Sequence, residues 1–325
     1  MKRIIALGIV VIIVIALWTG AWFIGASFIS GYAKSLETAD GVNTPKVVCG
    51  SFGVGGFPFG FDATCVNATV TLADTTVTTP GVQASVMVYN PTHLLVAAKS
   101  PVSIADAFTG SQSRVDFESL EASARLTGWR LGRVSLVVEK PVWNDSVLED
   151  RLIAKADHVE AHLIDLPDQY DAKAHLAALG EYVQVDNLNA PGFQINAGKS
   201  TFQGDLTGLP DDVRVYAEAD PVQLIKRWQA AGGKFTLTDF KGEDGDTHFD
   251  ATGTVQLDAQ GRVNGQLKLN SKGVVERLGT AIPDQYRGLI VGGQAADGSY
   301  SQTVNIAAGV MFVGLVPAGM LPAVF

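Results

Sequence analysis

The chain has 325 residues and a net charge of −9; 47% of its residues are hydrophobic and 18% are charged. Soluble domains carry about 25% charged residues on average, so this chain is poor in charge. Its excess of acidic over basic residues argues against a nucleic-acid-binding protein, which would present a basic patch. The apolar composition excludes a disordered chain. Two cysteines are too few for a disulfide-rich scaffold or a four-thiolate zinc site.

An apolar run opens the chain, with no charged residue between Arg3 and Lys34. Residues 4–29 suffice to cross a bilayer, which takes about 20 apolar residues. We therefore predict a cytoplasmic stub at residues 1–3, held there by Lys2 and Arg3, and a transmembrane helix at 4–29. Aromatic residues near its far end favour the outer membrane interface: they include Trp18, Trp22 and Phe23.

A cleaved signal peptide is the competing interpretation, with cleavage after Ala21 or Ala33. Signal peptides have shorter apolar regions of about 7–15 residues, so an uncleaved signal anchor is favoured. Both interpretations export the chain from about residue 34 onward. We predict a single-pass inner-membrane protein whose domain at 38–325 lies in the periplasm, with two sub-halves near 38–190 and 191–325.

Two cysteines flank a segment rich in glycine and phenylalanine. In an oxidising compartment Cys49 and Cys65 can form a disulfide, and two strands joined by a Gly/Pro turn would bring them together; two separate buried thiols are the alternative. The turn motif consists of Gly56, Phe57, Pro58 and Phe59. Its glycines lack the third glycine of a dinucleotide-binding loop. We expect the phenylalanines of this segment to fill core: Phe52, Phe57, Phe59 and Phe61.

The remainder of the chain is rich in Val, Thr and Leu, partly alternates with period 2, and is divided by turn residues. We predict a mainly β (α+β) fold, a large antiparallel twisted sheet with a few covering helices. The predicted strands are 66–72, 82–89, 94–98, 115–126, 129–139, 148–163, 234–240, 247–257, 262–269 and 299–312. The predicted turns include 79–81, 90–91, 109–111, 243–246 and 258–261.

Three segments predict helices. Residues 168–179 precede Gly180, a helix stop. A second helix begins at Pro221, after the capping residue Asp220, and ends before the glycines at 232 and 233. A short third helix is predicted at 274–278. The apolar tail at 306–325 predicts a final strand and packed tail rather than a second membrane span, because glycines and prolines interrupt it and no basic residue flanks it.

One side-chain cluster has the composition of a metal site. Period 2 places His158, Glu160 and His162 on one face of a strand, where two imidazoles and a carboxylate suit zinc. A solvated strand face would show the same pattern and is the favoured interpretation. No nucleophile motif of a hydrolase occurs, and we predict no catalytic residue and no cofactor.

Several of these segments, taken in order, resemble a bacterial family. The pattern runs from Val-Cys-Gly-x-x-x-Val-x-Gly-Phe-Pro-Phe and Cys65, through Tyr89-Asn90-Pro91 and Trp228, to the Gly-rich repeat at 253–269 and the strand at 309–313. It resembles the family called domain of unknown function 2125. The resemblance implies an N-terminal membrane anchor in an alphaproteobacterial envelope protein, and no activity. The repeat also resembles the β-rich part of AsmA-like envelope proteins, which implies an apolar groove that handles lipids.

Three functions are compatible with these features. The first is a non-enzymatic protein that binds or channels phospholipid or another envelope lipid along an apolar sheet face. The second is a structural scaffold for an envelope protein partner, without a ligand and with a filled core. The third is a hydrolase with an unrecognised site. An apolar groove and a packed core distinguish the first two.

Overall fold

The computed structural model describes residues 2–218, 220–274, 277, 292–314 and 316–325. The chain forms two compact units: the first is Met1–Ser123 with Val142–Arg151, and the second is Ala124–Pro141 with Leu152–Phe325. Strands dominate both units, and the chain opens with one long apolar helix, which confirms the mainly β prediction. The sequence placed its division near residue 190, and that boundary stays a prediction.

The elements follow one another along the chain, most of them with short connections and a longer one between β16 and β17. The first part of the chain contains α1 (Lys2–Glu37), β1 (Lys46–Gly55), β2 (Gly60–Leu72), β3 (Thr75–Met87), β4 (Asn90–Ala98), β5 (Val102–Asp106), β6 (Gln112–Asp116), β7 (Ser119–Thr127), β8 (Arg130–Glu139) and β9 (Val142–Asp145). The rest contains β10 (Arg151–Lys155), β11 (His158–Asp165), β12 (Leu176–Ala190), β13 (Ile195–Pro210), α2 (Arg214–Glu218), α3 (Pro221–Ala230), β14 (Lys234–Asp244), β15 (Thr247–Leu257), β16 (Val263–Lys272), β17 (Tyr300–Ala307), β18 (Val310–Val313) and β19 (Val316–Met320).

The first unit is built around two long hairpins. β1 pairs with β2 and β2 with β3, all antiparallel. The predicted turn at 79–81 is wrong, because these residues lie inside β3. Pro80, which has no N–H, falls where the ladder to β2 skips Asn67, between the pairs Val66–Gly81 and Ala68–Thr79. At this point β3 changes its other neighbour, from β5 to β4.

The hairpin of β1 and β2 carries both cysteines. Cys49 and Cys65 are joined by a disulfide, with 5.3 Å between their Cα atoms. Residues 56–59 form the turn between the strands, as predicted. The expectation that the four phenylalanines fill core is wrong for Phe52, Phe57 and Phe59, which are exposed. Phe57 and Phe59 lie in the turn itself, and Phe52 lies on β1 before it.

The second unit contains an antiparallel sheet that follows the chain order. β8 pairs with β11, and from β11 onward each strand pairs with the next one, from β12 to β19. Some neighbouring strands are joined by tight turns, as at Gly245-Asp246 between β14 and β15, whereas α2 and α3 lie between β13 and β14. Gly245 has a φ of +60°, which a non-glycine residue adopts at a cost. The turn predicted at 243–246 is confirmed at 245–246, since residues 243 and 244 belong to β14. The turn predicted at 258–261 is confirmed, and the Gly261 N–H donates to the Asp258 carbonyl at 2.9 Å.

The helix predictions have mixed outcomes. α3 is confirmed: the Asp220 carboxylate accepts a hydrogen bond from the Val222 N–H at 3.0 Å, and Pro221 takes the first helical position. The helix predicted at 168–179 is wrong. Only Pro167–Gln169 forms a 3-10 turn, and β12 begins at Leu176 because its backbone pairs with β13. The helix predicted at 274–278 lies largely outside the described residues.

The apolar tail forms strands rather than a helix. β17, β18 and β19 contain most of it, and Ile306 and Val313 are buried. Among the residues that the structure describes, one helix, at the N-terminus, is long and apolar enough to span a membrane. The predicted final strands are confirmed, whereas the packed tail is not: Val316, Met320 and Val324 are 39%, 77% and 45% exposed.

The sheet of the second unit has two chemically different faces. Cross-strand partners share a face, so the register assigns every side chain to one side. One side, which we call the apolar face, carries these residues on successive strands from β8 to β16: Leu136, Ala161, Val183, Phe202, Phe240, Ala251 and Leu269. The other side, the polar face, carries Ser135, His162, Tyr182, Gln203 and Asp239 on β8 and β11 to β14.

Two glycines on the apolar face make room for aromatic rings. A Cβ on Gly242 would overlap the ring of Phe249, its partner across β14 and β15, and a Cβ on Gly204 would lie 2.7 Å from Cε2 of Phe235. At both positions an aromatic ring therefore occupies the space that a side chain would need. The sheet gains apolar contact there without a second layer.

We predict that Gly242→Val destabilises the protein by about 1–3 kcal/mol, the usual cost of overpacking, because the ring of Phe249 must move. Chemical unfolding of the full chain in detergent measures this free energy. Gly53→Val on β1 is the control, since no atom lies within 4 Å of its added Cβ. Equal stability of the Gly242 variant and wild type would contradict the assigned contact.

Candidate functional site

Four phenylalanines form a continuous chain on the apolar face. Phe202 stacks on Phe235 with 6.1 Å between ring centroids and meets Phe240 edge-on at 5.8 Å. Phe240 in turn meets Phe249 edge-on at 4.9 Å. These offset and edge-to-face geometries are the favourable ones for aromatic pairs. The rings join β13, β14 and β15 into one apolar floor.

A cavity of about 540 Å³ lies at the end of this floor. Phe240 and Phe249 line it from the middle of the sheet, Ile195 from the start of β13, and Phe193 from the connection before β13. Small-molecule sites in proteins are mostly apolar clefts of about 300–1,000 Å³. The cavity therefore has the size and the lining of a site for an apolar ligand.

Charged groups on the apolar face are paired near its ends. Asp244, after Phe240 and Gly242 on the same side of β14, binds Arg277 with 2.6 Å between the carboxylate and Nη1. Asp165, at the end of β11, binds Arg130 at 2.8 Å. The Arg277–Asp244 pair lines the apolar cavity, so a ligand there would have a polar group within reach at one edge.

Glu181 lies within the apolar face without a partner. Its β12 position faces Leu163 on β11 and Gly204 on β13. No described residue donates a hydrogen bond to its carboxylate. Burial among these apolar neighbours raises the pKa of Glu181 above its usual value, with no charge acting against the shift. Protonation of this unpaired carboxyl group therefore removes a negative charge from the apolar face.

The polar face carries the histidine cluster predicted from the sequence. His162 Nε2 lies 3.3 Å from Glu160 Oε2, and His158 Nδ1 lies 2.8 Å from Glu139 Oε1. The hydrogen bond to Glu139 raises the pKa of His158. No group of three or more His, Cys, Asp or Glu side chains in the described ranges is arranged to hold a metal ion. The imidazoles bind carboxylates instead, and the zinc hypothesis gains no support.

A second cavity, of about 420 Å³, is polar. The Tyr170 hydroxyl donates to Asp211 at 2.9 Å, and His175 Nδ1 lies 3.2 Å from the same carboxylate. The Arg130 guanidinium lies over the Tyr170 ring at 4.3 Å. A hydrolase would need a nucleophile beside such a histidine, and the described lining offers one aliphatic hydroxyl, that of Thr127. The network is a partly buried set of hydrogen bonds around Asp211, with His175 at its exposed side.

In the first unit, α1 packs against the hairpin turn of β1 and β2. We call residues 55–60 the hairpin tip. The Trp22 indole N–H donates to the Gly60 carbonyl at 2.8 Å, and the Trp18 indole donates to the Pro58 carbonyl at 3.0 Å. The Trp22 ring also stacks on Phe61 with 5.5 Å between centroids. The structure thus brings together two groups of residues that the sequence suggested separately, the turn motif and the tryptophans of the membrane interface.

The phenylalanine chain and both ion pairs of the apolar face were not predicted from the sequence. The sequence does indicate which side chains share a strand face. Phe235 and Leu237 alternate with polar residues on β14, and so do Phe249 and Ala251 on β15. Their meeting depends on the register of three strands, which no local pattern specifies.

We predict that Glu181→Gln stabilises the protein at pH 8. The folded state holds the carboxyl proton more tightly than the unfolded chain, so wild-type stability falls as the pH rises through the raised pKa of Glu181. The variant does not lose stability in this way, so its melting temperature should exceed that of wild type at pH 8. The difference in melting temperature should become smaller toward pH 4. Glu160→Gln on the polar face is the control and should give no gain at pH 8. A melting temperature below wild type at pH 8 for Glu181→Gln would contradict the assignment.

We predict that Trp22→Phe costs about 1–3 kcal/mol, because the buried Gly60 carbonyl loses its donor. Unfolding of the full chain in detergent measures the change. Trp143→Phe on β9 is the matched control, since its indole has no hydrogen bond within the described chain. Similar losses in both variants would argue against the indole bond as the cause.

Comparison with known proteins gives one match. Residues 22–322 match the family described as "Uncharacterized protein conserved in bacteria (DUF2125)". No curated protein and no solved structure matches the chain. The AsmA-like resemblance of the C-terminal repeat therefore stays an expectation from the sequence.

Proposed function

This chain belongs to the DUF2125 family, and we propose that it is a non-enzymatic, single-pass inner-membrane protein that binds lipid along the apolar face of its second unit. The match includes the C-terminal part of α1 and all of the strands. The family description assigns no activity, so the proposal rests on the chemistry of this chain.

The observation that carries the proposal is the open state of the apolar face. No large side chain among the described residues is fully buried. Leu136 and Leu269, on β8 and β16, are 36% and 42% exposed. A scaffold with a filled core would bury such side chains, whereas a lipid-binding sheet leaves them for its ligand. Large apolar side chains left exposed on a sheet face mark candidate interaction sites.

The phenylalanine chain and the cavity support an elongated apolar ligand. Rings joined across three strands offer a surface along which an acyl chain packs without hydrogen-bonding demands. Arg277 and Asp244 at the cavity edge offer a donor and an acceptor to the polar end of such a molecule. A phospholipid has both parts.

Two features support anchoring in the inner membrane with the strands in the periplasm. Lys2 and Arg3 precede the apolar stretch of α1, and basic residues favour the cytoplasmic side. The disulfide of Cys49 and Cys65 persists in an oxidising compartment such as the periplasm.

Bound lipid in matched variants tests the proposal. We expect the full chain, purified in detergent, to retain phospholipid that organic extraction and mass spectrometry quantify per protein molecule. Leu136→Gln combined with Leu269→Gln makes the apolar face polar and should remove most of the lipid that exceeds the amount bound by α1. Both side chains are partly exposed, so the fold tolerates the change.

The control changes adjacent residues that point to the opposite side. Val137→Gln with Lys268→Gln alters the polar face on the same two strands, and its lipid content should equal that of wild type. All proteins share the same α1, which makes the helix-bound lipid a constant background. Equal lipid content in the two double variants would refute lipid binding on the apolar face.

A further inference from the structure

The hairpin tip is an exposed apolar projection. From Gly50 to Phe61 the chain has no charged residue. Phe57 and Phe59 are 51% and 65% exposed, although glycine and proline surround them and polar side chains would suit a solvated turn. The adjacent turn between β3 and β4 exposes Tyr89, and it is joined to the tip by a hydrogen bond from the Val88 N–H to the Phe59 carbonyl at 2.9 Å.

The helix α1 fixes the depth of this tip relative to a membrane. From Arg3 to Trp22 a helix rises by about 29 Å at 1.5 Å per residue, close to the thickness of the hydrocarbon core of about 30 Å. With Arg3 at the inner boundary, Trp22 lies at the outer boundary and Trp18 about 6 Å inside it. The indole bonds place Gly60 at the level of Trp22 and Pro58 at the level of Trp18.

Four carbonyl groups of the tip, those of Gly56, Pro58, Phe59 and Gly60, have internal partners of the kind that a lipid environment requires. Carbonyl groups in hydrocarbon need internal partners, since no water is present to bind them. The Gly56 carbonyl accepts from the Gly60 N–H at 2.9 Å, the Phe59 carbonyl accepts from Val88, and the Pro58 and Gly60 carbonyls accept from the two indoles. Proline at position 58 removes one donor altogether. A turn in water would need none of these bonds.

We propose that the hairpin tip inserts into the outer leaflet of the membrane that α1 spans, with Phe57 and Phe59 among the lipids. This inference rests on the anchor that forms part of the proposed function, and it is independent of lipid binding on the apolar face. The first charged residue after the tip, Asp62, follows Gly60 by two positions along β2 and reaches the headgroup level. The chain is thus attached to the membrane by a helix and a hairpin bound to each other.

Depth-dependent quenching of a fluorescent label tests the insertion. The two native cysteines are joined, so Phe59→Cys offers one free thiol for the fluorophore NBD in the full chain, reconstituted in phosphatidylcholine vesicles. Nitroxide lipids carry the quencher near the headgroup or deep in the acyl chain. We expect a blue-shifted emission and stronger quenching by the shallow nitroxide than by the deep one.

Two further labels separate the tip from the anchor. Leu72→Cys, at the other end of β2 and also exposed, should be quenched by neither lipid, and Ile13→Cys, within α1, should be quenched by the deep nitroxide. Phe57→Cys repeats the measurement at a second tip position in case the first variant misfolds. Quenching at residue 13 with none at 57 and 59 would overturn the insertion and retain the anchor. A blue shift of a tip label without quenching by either nitroxide lipid would indicate that the tip contacts protein rather than lipid, and would also overturn the insertion. No quenching at residue 13 would overturn the anchor, and the insertion with it.

Discussion

The alternation of side chains along the strands of the second unit gathers phenylalanine, leucine and valine onto one side of the sheet. An apolar sheet face in water is costly, at about 25 cal/mol for each Å² of exposed apolar surface, so such a face needs a cover. In this chain the described residues supply cover over only part of it. The rest of the structure, from the ion pairs near its ends to the cavity beside Phe249, is arranged around that partly covered surface.

The apolar face also explains which substitutions are expected to change the stability of the protein. Glycines at 204 and 242 let aromatic rings lie on the backbone, which thickens the apolar layer without a second sheet. Glu181 places one carboxyl group among apolar neighbours, and its raised pKa couples the polarity of the floor to the acidity of the surroundings. The polar face, by contrast, satisfies its histidines with carboxylates on the same side. Opposite faces of a single sheet therefore carry different chemistry.

Local sequence patterns predicted much of the fold. The apolar run predicted α1, the Asp-Pro pair predicted α3, and the Gly-containing turns at 245 and 261 predicted their hairpins, because each depends on a few adjacent residues. The segment at 168–179 has good helix formers, yet its last residues belong to β12, since a strand with partners on both sides outweighs local propensity. Pro80 suggested a turn but lies within β3, where the ladder leaves it unpaired. The phenylalanine chain and the docking of the hairpin tip on two tryptophans depend on register and tertiary contact, which the sequence does not display.

Occupation of the apolar face by lipid is tested most directly with a photoreactive lipid. A phosphatidylcholine with a diazirine in its acyl chain, added to the reconstituted full chain, reacts with whatever it touches when illuminated. Peptide mapping then locates the adducts. Adducts on β13, β14 and β15 around Phe202, Phe240 and Phe249, in addition to those on α1, are the predicted result. Adducts confined to α1 and the hairpin tip would contradict lipid binding by the sheet, since the apolar face would then have no lipid.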